Sequence, residues 1–586
     1  MSSQLAEQSS IGCLNEEIPL FTQPLAPIAG SLALSALLAA LPLILLFVLL
    51  GVFKMKAWLA ALIGLAVSIV VAIVGWGMPA TMALSATAEG AFYGAFPIMW
   101  ILLNAIWLYQ LSVITGWFEE LGKLIRSISD DQRILAILIA FCFGALMEAL
   151  AGFGAPVAIS AAMLMAAGMR PLKSAIVSLL ANTAPVAFGA MGAPIIALSG
   201  AVSSTHPEIT THVLSQMAGR QTPFVAAIVP LVLVFLVDGR RGVKETWPVA
   251  IVAGVVFGVF QFLTSNFITV EITDVVASLA TIAVVLGMLR FWKPRNSVPL
   301  DHTELPADEA EAISSGKLAH YPEITATGGA RIWGAIAPYA IIVIVFSISQ
   351  IPVVKTWLLS IGQVKFPWPG LNTIAADGTA TSTILNSAGK PVSTIFTFDH
   401  LRATGTLLLL SGIVTCMVFK VKVADAVQAY ATTLKQLRFT IVTVLSVLAL
   451  AYVMNLSGQT ASLGNALATG LATAFVVVSP LVGWIGVAIT GSDTSSNALF
   501  GLLQVTAAEH SGLNPVLMAS ANSSGGVMGK MISPQNLAVA AAAVGMTNRE
   551  GDIFRKVVLW SLALLAYFTI VVVLQAGPLS WMVPTP

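Results

Sequence analysis

Apolar residues run along this chain in blocks, not in stripes. Residues 31–53 and 57–78 contain no charged residue, and each block is long enough to cross a hydrocarbon core of roughly 30 Å as a helix. Blocks of this kind predict twelve full crossings, beginning near Ser31, Ala57, Ala91, Ser174, Gln221, Trp247, Ile272, Ile332, Ala403, Phe439, Asn514 and Val557. Two further apolar stretches, 134–168 and 476–504, are expected to enter the membrane and return to the side they left, as re-entrant hairpins or pairs of short spans. The fold class expected is therefore an all-α polytopic membrane protein.

Composition agrees with the pattern. Of 586 residues, 57% are hydrophobic and 9% charged, against about 25% charged in an ordinary soluble domain. The net charge of +1 offers no bulk electrostatic case for a nucleic-acid partner. Cys13, Cys142 and Cys416 are widely spaced, and the six His fall in connecting segments without metal-ligand spacing. No metal site or cofactor is expected. Residues 1–28 carry Glu7, Glu16 and Glu17 but no Lys or Arg, so they lack the basic start of a secretory signal.

Basic residues set the expected orientation. With the N-terminus outside, of the 28 Lys and Arg only Arg220, Lys355, Lys365, Lys390 and Arg402 fall outside, and Lys530 lies within a span. The rest are cytoplasmic, which places both termini in the periplasm. Four segments follow: a polar tail over 1–30, an N-terminal membrane half over 31–291, a cytoplasmic linker over 292–330 with an acidic middle, and a C-terminal membrane half over 331–586.

The halves share a repeated element. Residues 181–194 read ANTAPVAFGAMGAP and residues 521–534 read ANSSGGVMGKMISP, with Ala, Asn, Gly, Met and Pro coinciding at a constant offset. The turn before the first copy holds Arg170 and Lys173, whereas the turn before the second holds neither Lys nor Arg, so the copies are expected to be inverted. Inverted repeats with discontinuous helices are the architecture of many secondary transporters, with substrate near the midplane.

Both repeats are rich in residues that interrupt helices. Gly152, Gly154 and Pro156 predict one break, Gly491 opens a second in Gly491-Ser-Asp-Thr-Ser-Ser-Asn497, and Gly525 and Gly526 predict a third. Irregular backbone at membrane depth is tolerated where it lines a cavity or binds a ligand. The freed N–H groups at a half-helix start attract a carboxylate. Candidate substrate contacts are Thr494, Ser495, Ser496 and Asn497 on one side, and Asn182, Thr183, Asn522, Ser523 and Ser524 on the other. These hydroxyls and amides suit a molecule with one carboxylate and one hydroxyl; the bland alternative is that they satisfy one another between helices. Lys530 is the candidate counter-charge for the carboxylate, or a structural partner of Asp493. Glu148 and Asp493 are candidate proton carriers, because burial disfavours a charged carboxylate. The bland readings are a snorkelling Lys530 and a salt-bridged Asp493.

Several of these segments resemble one family. Gly152-Phe-Gly-Ala-Pro-Val-Ala-Ile159, Asn182-Thr-Ala-Pro-Val-Ala-Phe-Gly-Ala-Met-Gly192, Asp238-Gly-Arg-Arg-Gly-Val-Lys-Glu-Thr-Trp-Pro248, Thr490-Gly-Ser-Asp-Thr-Ser-Ser-Asn-Ala-Leu-Phe500 and Gly529-Lys-Met-Ile-Ser-Pro-Gln535 are similar to the bacterial L-lactate permeases. The resemblance runs from about Ser31 to the C-terminus; the N-terminal tail and the loop 355–400 depart from it. It implies uptake of L-lactate, D-lactate and glycolate by proton symport across the bacterial inner membrane. The partners expected are thus a small 2-hydroxy monocarboxylate, a proton and membrane lipid. A sodium-coupled symporter of a related carboxylate is the alternative, since carboxylate, hydroxyl and carbonyl oxygens also hold hard cations. A membrane-embedded enzyme would need paired His, a nucleophile beside a base or a metal motif in the breaks, and the sequence holds none.

Overall fold

The computed structural model describes residues 20–117, 120, 128–150, 152, 154–296, 328–374, 379–546 and 549–585. Most of the expected tail and linker (1–19 and 297–327) lies outside the described residues. Among those described, nine helices are long and apolar enough to span a bilayer, or ten if the bent pair Pro171–Ala181 and Val186–Val202 is one span.

The helices form an outer and an inner set. The outer helix Leu32–Gly51 starts at Ser31, whose hydroxyl accepts from the Leu34 amide. It exposes Leu34, Leu37, Leu41 and Ile44 and buries Ala36, Ala39, Leu43 and Leu46. Both faces are apolar, one toward protein and one toward lipid, as expected of a span at the rim of a bundle. The inner helical stretch 132–150 is buried at every residue, so protein surrounds it completely.

The inner set repeats one order of elements. The first copy runs from 132–150 through a break at Gly152 and Gly154 to Ala155–Ala166, then Pro171–Ala181, a second break, and Gly189–Val202. The second runs from Phe475–Thr490 through a break at Gly491 to Asp493–His510, then Pro515–Lys530, a turn at 531–533, and Pro534–Ala543. The copies exchange partners: Ala155–Ala166 packs on Pro534–Ala543, and Asp493–His510 packs on Gly189–Val202. Each copy thus supplies a wall for the other's half-helix.

Span boundaries differ from expectation where polar residues sit inside helices. The span expected from Ala91 begins at Ala80 and continues to Ile114; Glu89 made its first turns look like loop, yet Glu89 is buried against protein. The span expected from Phe439 begins at Val423. The crossings expected at Gln221 and Trp247 are two limbs of Thr222–Phe267, folded back at Asp238 and Gly239, where φ is +60° for the glycine. The limbs touch closely: a Cβ on Gly254 would lie 2.6 Å from the Ala227 carbonyl oxygen.

The fold is also not purely helical. The loop after Pro352–Gly362 forms short strands: Gln363–Pro367 pairs antiparallel with Ile395–Asp399, Asn372–Ile374 with Ala380–Ser382, and Ile384–Leu385 runs parallel to Phe21–Thr22. Residues from 20 onward are therefore not a loose tail: Phe21 is in this cap, and Gln23 Nε2 donates to the Asn455 and Leu456 carbonyls. Alternating side chains on strands of two to five residues gave no apolar run to read. The cap rests on one face of the bundle, where the Ser393 amide donates to the Ser204 carbonyl at 2.8 Å.

The opposite face is pinned by Arg133, which has no exposed surface. It pairs with Asp131 at 2.7 Å, Glu245 at 2.9 Å and Asp238 at 3.1 Å, and donates to the Asn296 carbonyl. This ties the start of the first inner helix to the fold-back of Thr222–Phe267. Removing the cation leaves three carboxylates facing one another, and Lys lacks the planar fork that reaches them together. Arg133→Gln is expected to lower the unfolding temperature of the detergent-solubilised protein by several degrees, and Arg133→Lys to recover only part of it; thermal unfolding of both variants checks this.

Candidate functional site

The two hairpin tips meet in the centre of the inner set. Gly152 and Gly154 have φ of +54° and +84°, and Gly491 has +74°, a region open to glycine without the Cβ penalty. Pro156 then sits in the first turn of Ala155–Ala166, where its missing N–H costs nothing. Across the tips lies Asn536. Its Nδ2 donates to the Gly491 carbonyl at 3.3 Å, and its Oδ1 would be 3.0 Å from a Cβ on Gly154. Asn536 therefore touches both breaks.

The charged residues gather beside these tips. Lys530 Nζ donates to Glu148 Oε1 at 2.5 Å, joining the end of Pro515–Lys530 to the end of 132–150. Asn182 Nδ2 donates to Glu148 Oε2 at 2.9 Å. Glu148 and Lys530 are 3% and 5% exposed, so the pair is closed off from solvent. Gly189 makes room for it, since a Cβ there would lie 2.7 Å from Glu148 Oε1. The backbone beside it is strained: Ala190 and Met191 have φ of +45° and +56°. Such strain costs about 1–3 kcal/mol per residue and clusters at ligand sites and switch regions.

Asp493 lies at the start of its helix, capped by Ser492, whose hydroxyl accepts from the Ser495 amide. Its Oδ2 accepts from Ser523 Oγ at 2.7 Å and Asn497 Nδ2 at 3.3 Å, while its Oδ1 is buried with no partner. A Cβ on Gly526 would lie 2.6 Å from that oxygen.

One expectation about the breaks is corrected. Gly525 and Gly526 do not break a helix; Pro515–Lys530 runs through them. They allow Phe475–Thr490 to approach: a Cβ on Gly525 would stand 2.7 Å from the Pro480 carbonyl oxygen, and one on Gly483 2.0 Å from that of Asn522. Small residues at a helix contact look the same in sequence as small residues at a break. The second break is short: the helix resumes at Asp493, and Thr494, Ser495, Ser496 and Asn497 open it, as expected of a half-helix start.

The candidate polar residues divide by what their side chains do. Asn497, Asn522 and Ser523 serve an interhelical chain. Asn497 Nδ2 also donates to the Pro194 carbonyl at 3.0 Å, Asn522 Nδ2 donates to Asn497 Oδ1 at 2.9 Å, and Gln504 Nε2 donates to Asn522 Oδ1 at 3.1 Å. Ser496 Oγ turns to the Gly483 carbonyl and Thr183 Oγ1 to the Leu180 carbonyl. Asn182 Oδ1 and Ser524 Oγ are buried without a partner, and the side chains of Thr494 and Ser495 are buried as well. Lys530, Asn182 and Ser524 thus keep the capacity to meet a ligand, as do the Thr494 and Ser495 hydroxyls, which bond to no group among the described residues. The arrangement can hold one anion against Lys530 in exchange for Glu148.

Gln504, Asn536 and the buried Asp274 were not singled out from the sequence. For Asp274 a signal existed: it is the second residue of the apolar helix Thr273–Leu289, and an acid inside a span is a functional candidate by default.

Comparison with known proteins gives a consistent result. Residues 35–578 match the family model described as L-lactate permease. The L-lactate permease of Bacillus subtilis (strain 168) is 40% identical over 96% of this chain and 100% of its own length. That of Escherichia coli (strain K12) is 40% identical over 95% of this chain and 98% of its own. The glycolate permease GlcA of Escherichia coli (strain K12) is also 40% identical, over 95% and 98%.

The central ion pair sets a stability expectation. Breaking a buried pair leaves an uncompensated charge, at a cost of about 3–5 kcal/mol, while replacing both partners is often close to neutral. Glu148→Gln and Lys530→Met are each expected to destabilise the detergent-solubilised protein, and the double variant to recover most of the loss. A double-mutant cycle by chemical denaturation measures the coupling.

Proposed function

This chain belongs to the L-lactate permease family, and we propose that it takes up L-lactate, D-lactate and glycolate by proton symport across the bacterial inner membrane. The observation that carries the reading is the buried Lys530–Glu148–Asn182 cluster between two helix breaks. A 2-hydroxy acid presents a carboxylate for Lys530 and a hydroxyl for the unpartnered groups of Asn182 and Ser524. Asp493, with one oxygen free, opens the helix that follows the neighbouring break. The reading includes twelve crossings, two inverted repeats, the capped face and both termini toward the periplasm, and the Arg133 face toward the cytoplasm. The basic residues favour that orientation.

Coupling follows from charge. Lys530 has one carboxylate partner at rest. A substrate carboxylate that takes Lys530 displaces Glu148, and a lone carboxylate in this dry setting is costly. A proton on the displaced carboxyl removes that cost, so substrate and proton bind together. The pair moves without net charge, which avoids about 2.3 kcal/mol per 100 mV for carrying an anion against an inside-negative potential. Sodium is the second reading, favoured by the free Asp493 oxygen beside the Ser523 hydroxyl.

Uptake of labelled lactate into proteoliposomes with separate proton and sodium gradients tests the reading. Accumulation driven by protons alone is expected; accumulation that follows only sodium would contradict it. Glu148→Gln and Asp493→Asn are expected to reduce proton-driven accumulation more than lactate exchange, and equal loss of both argues against a proton role. Lys530→Ala is expected to raise the apparent KM for lactate by roughly tenfold or more, as loss of a charge-assisted hydrogen bond implies. An unchanged KM in inserted protein removes Lys530 from the site.

A further inference from the structure

We propose that Glu271 and Asp274 form a proton path from a cavity beneath the strand cap to Glu148, with Asp274 as the buried relay. This rests on the proton-symport reading and extends it to residues outside the central cluster.

The outer end is a cavity of about 680 Å³ on the capped face. Its wall includes Val270, Glu271 and Thr404, with Arg402 and Lys355 on the cap side. Glu271 is held by two hydroxyls, accepting from Thr404 Oγ1 at 3.3 Å and from Thr269 Oγ1. It faces the cavity, so it can collect a proton from water. Val270 connects this wall to the first repeat, because a Cβ on Gly192 would lie 2.8 Å from it. The cavity therefore abuts the strained segment at Ala190–Gly192.

Three residues beyond Glu271, Asp274 has no exposed surface. Its Oδ1 accepts from Gln261 Nε2 at 2.9 Å, and its Oδ2 is buried with no partner. A buried carboxyl with one unpartnered oxygen can hold a proton there without giving up a hydrogen bond. Gln261 is held by Thr222 Oγ1 at 2.8 Å and also reaches the Ala184 carbonyl at 3.4 Å. Ala184 lies in the break of the first repeat, two residues from the Asn182 that holds Glu148. The helix Thr273–Leu289 packs directly on Gly144–Leu150, which carries Glu148.

Charge supplies the reason for a relay. The centre holds Glu148, Asp493 and Asp274 against Lys530, and a substrate anion adds another negative charge. Of the titratable groups on elements packed against Thr273–Leu289, Glu148 acts on Asp274 electrostatically. The others are the charged residues at the Asp238 fold-back, Cys142 on the first inner helix, and Arg331 and Tyr339 on Gly328–Gln350. A proton carried inward from Asp274 reaches Glu148 as substrate takes Lys530. The competing structural role is that of a carboxylate in the first turn of a helix, where the helix dipole favours it.

Transport in two modes separates these roles. In proteoliposomes, wild-type protein is expected to accumulate lactate roughly tenfold per unit of imposed pH difference, since one unit is a tenfold free-energy step. Asp274→Asn keeps the shape and the amide contact but cannot pass a proton. It is expected to lose that accumulation while lactate exchange stays within severalfold of wild type, and Asp274→Glu is expected to restore uphill transport. Full accumulation by Asp274→Asn, or equal loss of both modes, would overturn the relay. Glu271→Gln, at the cavity wall, is expected to slow proton-driven uptake and to require a more acid exterior; a wild-type rate and pH profile would overturn its part. A wild-type protein driven only by sodium would instead overturn the proton reading itself.

Discussion

One buried ion pair holds the two halves of this protein together at its dry centre. Lys530 and Glu148 come from opposite halves of the chain, and each is the other's charge partner at 2.5 Å. A buried pair of this kind contributes little net stability by itself, but losing either member is costly. That asymmetry suits a transporter. In the proposed reading, the lysine exchanges one carboxylate for another, and the carboxylate it releases takes a proton.

The surrounding fold keeps this pair in place. Two hairpins bring their tips together through Gly152, Gly154 and Gly491, and Asn536 spans both. The reciprocal packing of Ala155–Ala166 on Pro534–Ala543 and Asp493–His510 on Gly189–Val202 means that neither half completes the centre alone. The chain Asp493–Asn497–Asn522–Gln504 ties the second copy internally, and its bond to the Pro194 carbonyl reaches the first. Among the described residues, the outer helices, apolar toward lipid, carry no part of this network. Strain at Ala190 and Met191 sits where the first copy meets Glu148, beside the neighbouring Gly189.

Much of this was legible in the sequence, for reasons that can be named. Gly152, Gly154 and Gly491 stand where the backbone turns left-handed, and a neighbouring proline or Ser/Thr/Asn run marked each as a break. Glu148, Asp493 and Lys530 were visible because a charge within an apolar span is rare. Their pairing was not: Lys530 was set against Asp493 or the substrate, whereas its partner is Glu148, 382 positions away. Gly525 and Gly526 were misread because helix contact and helix breakage use the same small residues. Asn497, Asn522 and Ser523 were read as ligand groups, and spacing could not show that they satisfy one another. Asp274 and Glu89 were passed over because each sits near the expected end of a span, where an acid looks like loop. The strand cap was missed because its strands are too short to show a period.

A structure determined experimentally with lactate bound is the most direct measurement of the exchange at Lys530. The lactate carboxylate is expected about 2.7–2.9 Å from Lys530 Nζ, the length of a charge-assisted bond, with the Glu148 carboxyl moved off the ammonium. Lactate bound elsewhere, with the Lys530–Glu148 pair intact, would contradict the account.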